Sequence, residues 1–163
     1  NPDKGTIYFK DKSIKSIEPR QLRNKIQLLY QEPVLFTDSI EDELKWPTLL
    51  KSSTVKYQQK KSNELLNICG LEKFSLNQYT KNFSGGEKQR LALARSFMGN
   101  ADLYLFDEPT SALNKELEQV IVNNIFEYFK EKTFLIVTHS HSILDKMNKI
   151  YEFKNNQFQL KGS

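Results

Sequence analysis

The chain has 163 residues, of which 38% are hydrophobic, and its 24 basic and 20 acidic side chains give a formal net charge of +4. This length and composition are typical of one soluble globular domain, so residues 1–163 are predicted to form a single domain. They exclude disordered, collagen-like and membrane-spanning classes, and the polar opening Asn1-Pro2-Asp3-Lys4 lacks a signal-peptide core. Any membrane role is expected to be peripheral, without direct insertion.

The charge pattern bears on the partners. Lys and Arg are spread along the chain and interleaved with Asp and Glu. This distribution favours a solvated surface over a nucleic-acid footprint, so no nucleic-acid partner is predicted. The lone Cys69 cannot form an internal disulfide, which favours a reducing compartment.

Residues 1–36 are predicted to be rich in strands. Gly5 to Phe9 is typical of a strand that leaves a turn, and Ile26 to Tyr30 is typical of a second strand. Between them, Pro19 to Lys25 predicts a short helix with proline in its first turn.

The pattern changes over residues 37–82, where two helices are predicted. They cover Ser39 to Lys45 and Thr54 to Cys69, and Gly70 supplies a stop for the second.

Helix and strand then alternate. Helical patterns at Glu87 to Phe97 and Lys115 to Lys130 are each followed by an apolar run, Leu103 to Phe106 and Phe134 to Val137 respectively. This order indicates right-handed βαβ units and an α/β fold around a parallel sheet. The second helix is expected to pack on that sheet through one apolar face, which consists of Leu117, Val120, Ile121 and Phe129.

The last part of the chain predicts a hairpin. Tyr151 to Phe153 and Phe158 to Leu160 read as its two strands, and Asn155-Asn156 lies between them.

The first motif with chemical content is Phe83-Ser84-Gly85-Gly86-Glu87. Ser84 and Glu87 have the spacing of a capping box, which would begin a helix. Two glycines at this point also allow a ligand to approach free backbone amides, where the helix dipole favours an anion such as phosphate. Capping alone and phosphate binding both remain open from the residues.

The second motif is the apolar strand Leu103 to Phe106, followed by Asp107 and Glu108. We expect this strand to be buried on both faces and to deliver the two carboxylates to the edge where open α/β sheets bind ligands. One carboxylate can hold a hydrated Mg²⁺, and the other can orient or deprotonate a water that attacks phosphorus. The alternative is a turn whose acidic side chains cap the next helix.

The third motif, Thr138-His139, follows the apolar run that ends at Val137. A histidine at the end of a strand can sense or stabilise charge on a transferring phosphoryl group. A metal pair with His141 is disfavoured, because no third ligand occurs at a workable spacing.

Together these motifs resemble those of the ATP-binding cassette (ABC) ATPases. Phe83 to Glu87 resembles the signature motif in an FSGGE form, and Leu103 to Glu108 resembles the Walker B strand with its catalytic glutamate. Ser111 to Asn114 resembles the D-loop, Thr138-His139 the H-loop, and Tyr30 to Phe36 the Q-loop. The five motifs occur in the family's order along the whole chain.

This resemblance implies an α/β fold with a partial P-loop NTPase (RecA-like) parallel sheet core, into which residues 37–82 are inserted as an α-helical subdomain. It implies ATP and Mg²⁺ as ligands. It also implies two partners, a second ABC ATPase domain in a head-to-tail dimer and a transmembrane permease domain, at the cytoplasmic face of the cell membrane.

The resemblance also implies roles for single residues. Gln31 would reach Mg²⁺ and the attacking water, and Asp107 would hold Mg²⁺ through water. Glu108 would be the general base, and His139 would contact the γ-phosphate as a switch.

The signature and D-loop residues would bind ATP held by the opposite subunit. Ser84, Gly85 and Gly86 would contact its γ-phosphate, and Glu87 and Asn114 would belong to the same nucleotide-binding set. Two of these positions depart from the family. Glu87 stands where glutamine is commoner, and Asn114 stands where the D-loop usually has aspartate, which is expected to weaken communication between the two sites.

A Walker A loop needs two glycines five apart, followed by Lys and Ser or Thr. The six glycines lie at positions 5, 70, 85, 86, 99 and 162, and no two are separated by five. Because Asn1 to Phe9 resembles the segment shortly after that loop, the start of the domain is expected to be missing. The chain alone is then expected to have an open sheet edge, an uncovered core and no ATPase activity.

Two classes of function follow from the resemblance. The first is the ATP-binding and hydrolysing subunit of an ABC transporter, and the second is a soluble ABC-type ATPase that acts on DNA or ribosomes. We favour the transporter, because no long heptad arm interrupts residues 37–82 and Gln89 to Arg95 matches transporters better.

Overall fold

The computed structural model describes residues 4–50 and 53–161. The prediction on the opening of the chain lies partly outside this range, since it involves Asn1, Pro2 and Asp3. A single turn of 3₁₀ helix covers Ile14–Ser16. The other elements are, in chain order, β1 (Tyr8–Phe9), β2 (Lys12–Ser13), α1 (Pro19–Lys25), β3 (Ile26–Leu29), α2 (Ile40–Leu49), α3 (Gln59–Ile68), α4 (Gly85–Met98), β4 (Leu103–Asp107), α5 (Lys115–Tyr128), β5 (Thr133–Val137), α6 (His141–Leu144), β6 (Ile150–Lys154) and β7 (Gln157–Lys161).

A three-stranded parallel sheet forms the centre of the fold. Its strand order is β3-β4-β5, and Leu29, Phe106 and Ile136 are neighbours across it. The predicted parallel sheet with intervening helices is therefore confirmed. Two separate antiparallel hairpins, β1-β2 and β6-β7, complete the strands of the described residues.

One face of the sheet is covered by α4 and α5 through an aromatic cluster. The ring of Phe97 on α4 stacks on that of Phe129 at 4.1 Å and lies 4.9 Å from the ring of Tyr104 on β4. The rings of Tyr104 and Phe134 stack at 5.4 Å. Since full burial of a large apolar side chain contributes about 1.5–3 kcal/mol, this cluster is a main source of stability.

The opposite face of the sheet is open. Leu28, Leu135 and Val137 are 50%, 64% and 64% exposed, and Leu105 between them is only half-buried. The prediction that the β4 strand is buried on both faces is therefore wrong. No described element covers this face, which agrees with the expectation of an uncovered core.

The two helices of residues 37–82 pack on α4. The first is longer than predicted, because it continues through Pro47 to Leu49. Pro47 lies near the C-terminal end of this helix and has no amide to donate to the carbonyl four residues earlier. The second begins at Gln59 and not at Thr54, and residues 54–58 form no helix. Its N-cap residue Gln58 makes no side-chain hydrogen bond to the helix.

Three smaller expectations have mixed outcomes. The strand predicted from Gly5 covers only Tyr8–Phe9, and it pairs with a strand that was not predicted. Val120 is largely exposed, so its predicted place on the packed face of α5 is wrong. The closing hairpin is confirmed, and its turn residues Asn155 and Asn156 both have the positive φ that a tight hairpin turn requires.

No helix among the described residues is long and apolar enough to cross a membrane.

Candidate functional site

The carboxyl ends of the three parallel strands bring most of the predicted site residues to one edge. Asp107 is the last residue of β4 and pairs with Val137, the last residue of β5. Gln31 follows β3 by two residues, and His139 follows β5 by two residues. Because parallel strands end at the same edge, these side chains share one region of the surface.

Glu108 is the most constrained residue at this edge. Its φ is +44°, a left-handed conformation that side chains other than glycine rarely adopt and that costs about 1–3 kcal/mol. Its amide donates to the carbonyl of Val137 at 2.9 Å, and its Oε2 accepts from the Thr138 hydroxyl at 3.3 Å. Nε2 of His139 lies 3.9 Å from Oε1 of Glu108. The carboxylate is thus held beside both residues of the Thr138-His139 motif.

Gln31 and Asp107 lie at the same edge without such restraint. Gln31 is exposed in a bend, and it makes no hydrogen bond with other described residues. Asp107 is half-buried. The described residues contain no group of three or more His, Cys, Asp or Glu side chains that could hold a metal ion.

The turn Ser84–Glu87, called the signature turn below, begins α4. The predicted capping box is confirmed: the Ser84 hydroxyl accepts from the Glu87 amide at 3.3 Å, and Glu87 Oε2 accepts from the Ser84 amide at 3.0 Å. That bond from the Ser84 amide is the main cause that lowers the pKa of the Glu87 carboxyl, with help from Lys73 at 3.2 Å. The carboxylate is therefore occupied by the helix cap.

The two glycines of the signature turn differ in their surroundings. A Cβ at Gly85 would meet no atom within 4 Å, so this backbone faces open space. A Cβ at Gly86 would lie 3.0 Å from the carbonyl oxygen of Ala112. Gly86 is thus needed for close approach within the chain, whereas Gly85 leaves room for a ligand at the start of a 14-residue helix.

Asn114 also has a structural task. It is the N-cap of α5, and its Oδ1 accepts from the Leu117 amide at 2.9 Å. Asn and Asp are nearly equivalent N-caps, so the departure from the usual aspartate leaves the start of α5 intact.

Gln89 is a site residue that the sequence reasoning missed. It is 2% exposed and lies one turn into α4. Its Nε2 donates to the Glu108 carbonyl at 3.1 Å and to the Ser111 hydroxyl at 3.2 Å, and its Oε1 accepts from the Ala112 amide at 3.0 Å. Its sequence signal is position, since Gln89 precedes the buried Ala92 and Leu93 by three and four residues and so lies on the inner face of the helix.

A second missed pair fixes the segment that follows Gln31. Glu43 is fully buried, pairs with Arg95 of α4, and accepts from the amides of Phe36 and Thr37 at 2.9 Å each. Arg95 also donates to the Val34 carbonyl at 2.8 Å. Periodicity cannot find this pair, because Glu43 lies among other acidic residues that face solvent.

The order and placement of these motifs are matched by known proteins. The model of the ABC transporter family matches residues 1–111. The chain belongs to the ABC transporter family. By family, this ABC chain is an ATP-binding and ATP-hydrolysing domain, and its parallel sheet is part of a P-loop NTPase core.

Two curated relatives illustrate the similarity. The lipoprotein-releasing system ATP-binding protein LolD of Buchnera aphidicola is 34% identical over 163 residues, which cover 96% of the ABC chain and 71% of LolD. The glutathione/L-cysteine transport system ATP-binding/permease protein CydC of Haemophilus influenzae is 31% identical over an alignment of 170 residues, gaps included. This alignment covers 98% of the ABC chain and 29% of CydC. Both relatives carry the names of transport proteins, so the alternative of an ATPase that acts on DNA or ribosomes is not favoured.

The fold is also found in a solved structure. A bacterial Atm1-family ABC exporter with ATP bound superimposes with a TM-score of 0.81 at 24% sequence identity, over 93% of the ABC chain and 27% of the exporter chain. This likeness shows that the fold is shared.

Proposed function

We propose that the chain is the ATP-binding and hydrolysing part of an ABC transporter, in which nucleotide-driven closure of a dimer drives transport by a membrane partner. The observation that carries the proposal is the Glu108 carboxylate, held between Thr138 and His139 at the carboxyl edge of a parallel sheet. This edge is where sheets of this kind bind nucleotides.

We assign the proton transfer to Glu108. Its carboxylate is an acceptor that the backbone conformation and Thr138 hold in place, so it can take the proton of an attacking water. His139 is exposed beside it and can donate to an oxygen of the transferring phosphoryl group. A base and a donor placed just beyond the ends of two adjacent strands supply the positioning on which phosphoryl transfer depends.

Mg²⁺ fits the residues of this edge. Asp107 and Gln31 offer carboxylate and amide oxygens, which are the ligands that Mg²⁺ prefers, and neither side chain makes a hydrogen bond with other described residues. The ion would supply charge neutralisation on the phosphate oxygens. Asp107 would hold it through water, and Gln31 would contact both the ion and the attacking water.

The signature turn is proposed to act on nucleotide held by a second ABC ATPase domain, in a head-to-tail dimer. Gly85 leaves the first amides of α4 open, and the helix dipole favours an anion there. Ser84 and Gly86 complete this surface, with Glu87 as the cap that shapes it and Asn114 at the start of the neighbouring helix.

A groove of about 550 Å³ beside β3 is the proposed contact with the membrane partner. The groove is lined by exposed apolar side chains, which are Tyr30, Val34, Phe36, Trp46 and Leu50. Exposed apolar clusters of this kind mark interaction sites. The chain is thus proposed to lie at the cytoplasmic face of the cell membrane, bound to a transmembrane permease and not inserted itself.

The proposal is tested by purifying the complete gene product from detergent-solubilised membranes. We expect an integral membrane protein to co-purify, and we expect Trp46→Ala to reduce its amount at least fivefold. Tyr79→Ala, which removes an exposed aromatic side chain outside the groove, is the matched control and should change nothing. Recovery with DNA or ribosomes, and without a membrane protein, would contradict the proposal.

A further inference from the structure

The buried side chain of Gln89 connects α4, which begins at the signature turn, to the loop that follows β4. The three hydrogen bonds of Gln89 reach Glu108, Ser111 and Ala112, so both ends of its amide are used within residues 108–112. At 2% exposure, water cannot replace these bonds without a local opening of the structure.

A second, independent contact joins the same two segments. A Cβ at Gly86 would lie 3.0 Å from the Ala112 oxygen and 3.4 Å from Cδ2 of Leu113, so the first turn of α4 packs directly against this loop. Gln89 lies on the same side of the helix three residues later, about 4.5 Å further along its axis. The signature turn and the loop therefore have little freedom to move apart.

We propose that Gln89 is a positioning residue for ATP hydrolysis, which fixes Glu108 and the D-loop residues Ser111 to Asn114 to the signature turn. This inference rests on the proposed function. Under that function Glu108 acts on nucleotide in its own subunit, whereas Ser84 to Gly86 act on nucleotide in the other. Gln89 then sets the spacing between the two half-sites that each subunit contributes.

The bond to the Glu108 carbonyl matters because of the backbone at that residue. Glu108 has a positive φ, a conformation that persists only where the surroundings enforce it. Gln89 restrains its carbonyl, and Val137 restrains its amide. A displacement of about 1 Å at a catalytic group can lower a rate about 100-fold, so loss of one restraint is expected to affect hydrolysis.

The test uses Gln89→Met in the complete gene product, because methionine has a similar length and makes none of the three bonds. We expect kcat for ATP to fall at least tenfold with the dissociation constant for ATP changed less than threefold. We also expect the Ala112 amide to exchange its hydrogen at least tenfold faster. Gln89→Glu keeps the acceptor for Ala112, so it should preserve that protection better than Gln89→Met.

Two controls separate positioning from general damage. Met98→Ala removes a fully buried side chain at the far end of α4 and should lower the melting temperature while kcat per folded molecule stays within twofold. Gln59→Met alters an exposed helical glutamine and should change neither quantity.

Gln89→Met with kcat within twofold of the parent, or with unchanged exchange at Ala112, would overturn the inference. If the parent does not hydrolyse ATP, the proposed function fails instead, and exchange at Ala112 still decides whether Gln89 holds the loop.

Discussion

The two faces of the parallel sheet contrast sharply in their surroundings. On one face Tyr104 and Phe106 of β4 are buried against α4 and α5, within a cluster of five aromatic rings. On the other face Leu28 and Leu135, which flank β4 in register, remain at least half exposed. Both faces of the strands carry large apolar side chains, so their sequence does not distinguish the covered face from the open one.

This difference teaches where the stability of the described fold comes from. The covered face removes the larger apolar area from water, and the free energy of burial scales with that area. The helices on this face also carry Gln89 and Arg95, which connect α4 to the loop after β4 and to the segment after β3. Stability and site geometry therefore depend on the same helix.

The largest effect is expected for Phe97→Ala, which tests whether the covered face of the sheet supplies most of the stability. Phe97 is fully buried between α4 and the sheet, and removing such a ring leaves a cavity that costs about 3–5 kcal/mol in the free energy of unfolding. Urea denaturation of this chain measures the cost. Phe158→Ala, at the largely exposed Phe158 of β7, is the control and should cost less than about 0.5 kcal/mol. Equal costs would remove the distinction between the two kinds of surface.

A second prediction compares the contribution of the buried Glu43–Arg95 pair to the free energy of unfolding with that of the aromatic cluster. Glu43→Gln keeps the size of the side chain but removes the charge that Arg95 and the Phe36 and Thr37 amides face, so we expect a loss of about 2 kcal/mol. Glu41→Gln, on the same helix in the more exposed pair with Lys45, should cost less than about 1 kcal/mol. The same denaturation experiment measures both, and a smaller loss for Glu43→Gln than for Glu41→Gln would show that the buried pair is dispensable.

The smallest effect is expected for Leu135→Ala, which compares the two faces of the sheet on the single strand β5. Leu135 and Phe134 are adjacent on β5 and point to opposite faces. In this chain Leu135→Ala should change the free energy of unfolding by less than about 0.5 kcal/mol. Phe134→Ala should cost about 3 kcal/mol, because its ring packs on Tyr104 and Phe126. A cost above about 2 kcal/mol for Leu135→Ala would mean that the second face is packed in solution.

Much of the fold could be predicted from the sequence. The helix Pro19–Lys25, the apolar strands before Asp107 and Thr138, and the turn at Asn155-Asn156 all carry local signals that the structure follows. The start of the helix at Gln59 was missed, because no residue with a side-chain cap marks the boundary.

The candidate site also contains residues that could be predicted from the sequence and residues that could not. The residues at strand ends and in the signature turn could be predicted, since their positions depend on local pattern and on the shared edge of parallel strands. Gln89 and the Glu43–Arg95 pair could not, because their partners lie 19 to 23 and 52 residues away along the chain. The local pattern can place Gln89 on the inner face of α4, but the partners at such separations depend on the complete fold.

The most direct test of the central claim is hydrolysis of Mg-ATP by the complete gene product with Glu108→Gln. The substitution keeps the shape of the side chain and removes the base. General-base catalysis contributes about 10²- to 10⁴-fold, so we predict that kcat falls by at least 100-fold while ATP binding is retained. A variant that hydrolyses ATP within threefold of the parent would contradict the assignment of Glu108 and, with it, the account of this edge of the sheet as the catalytic site.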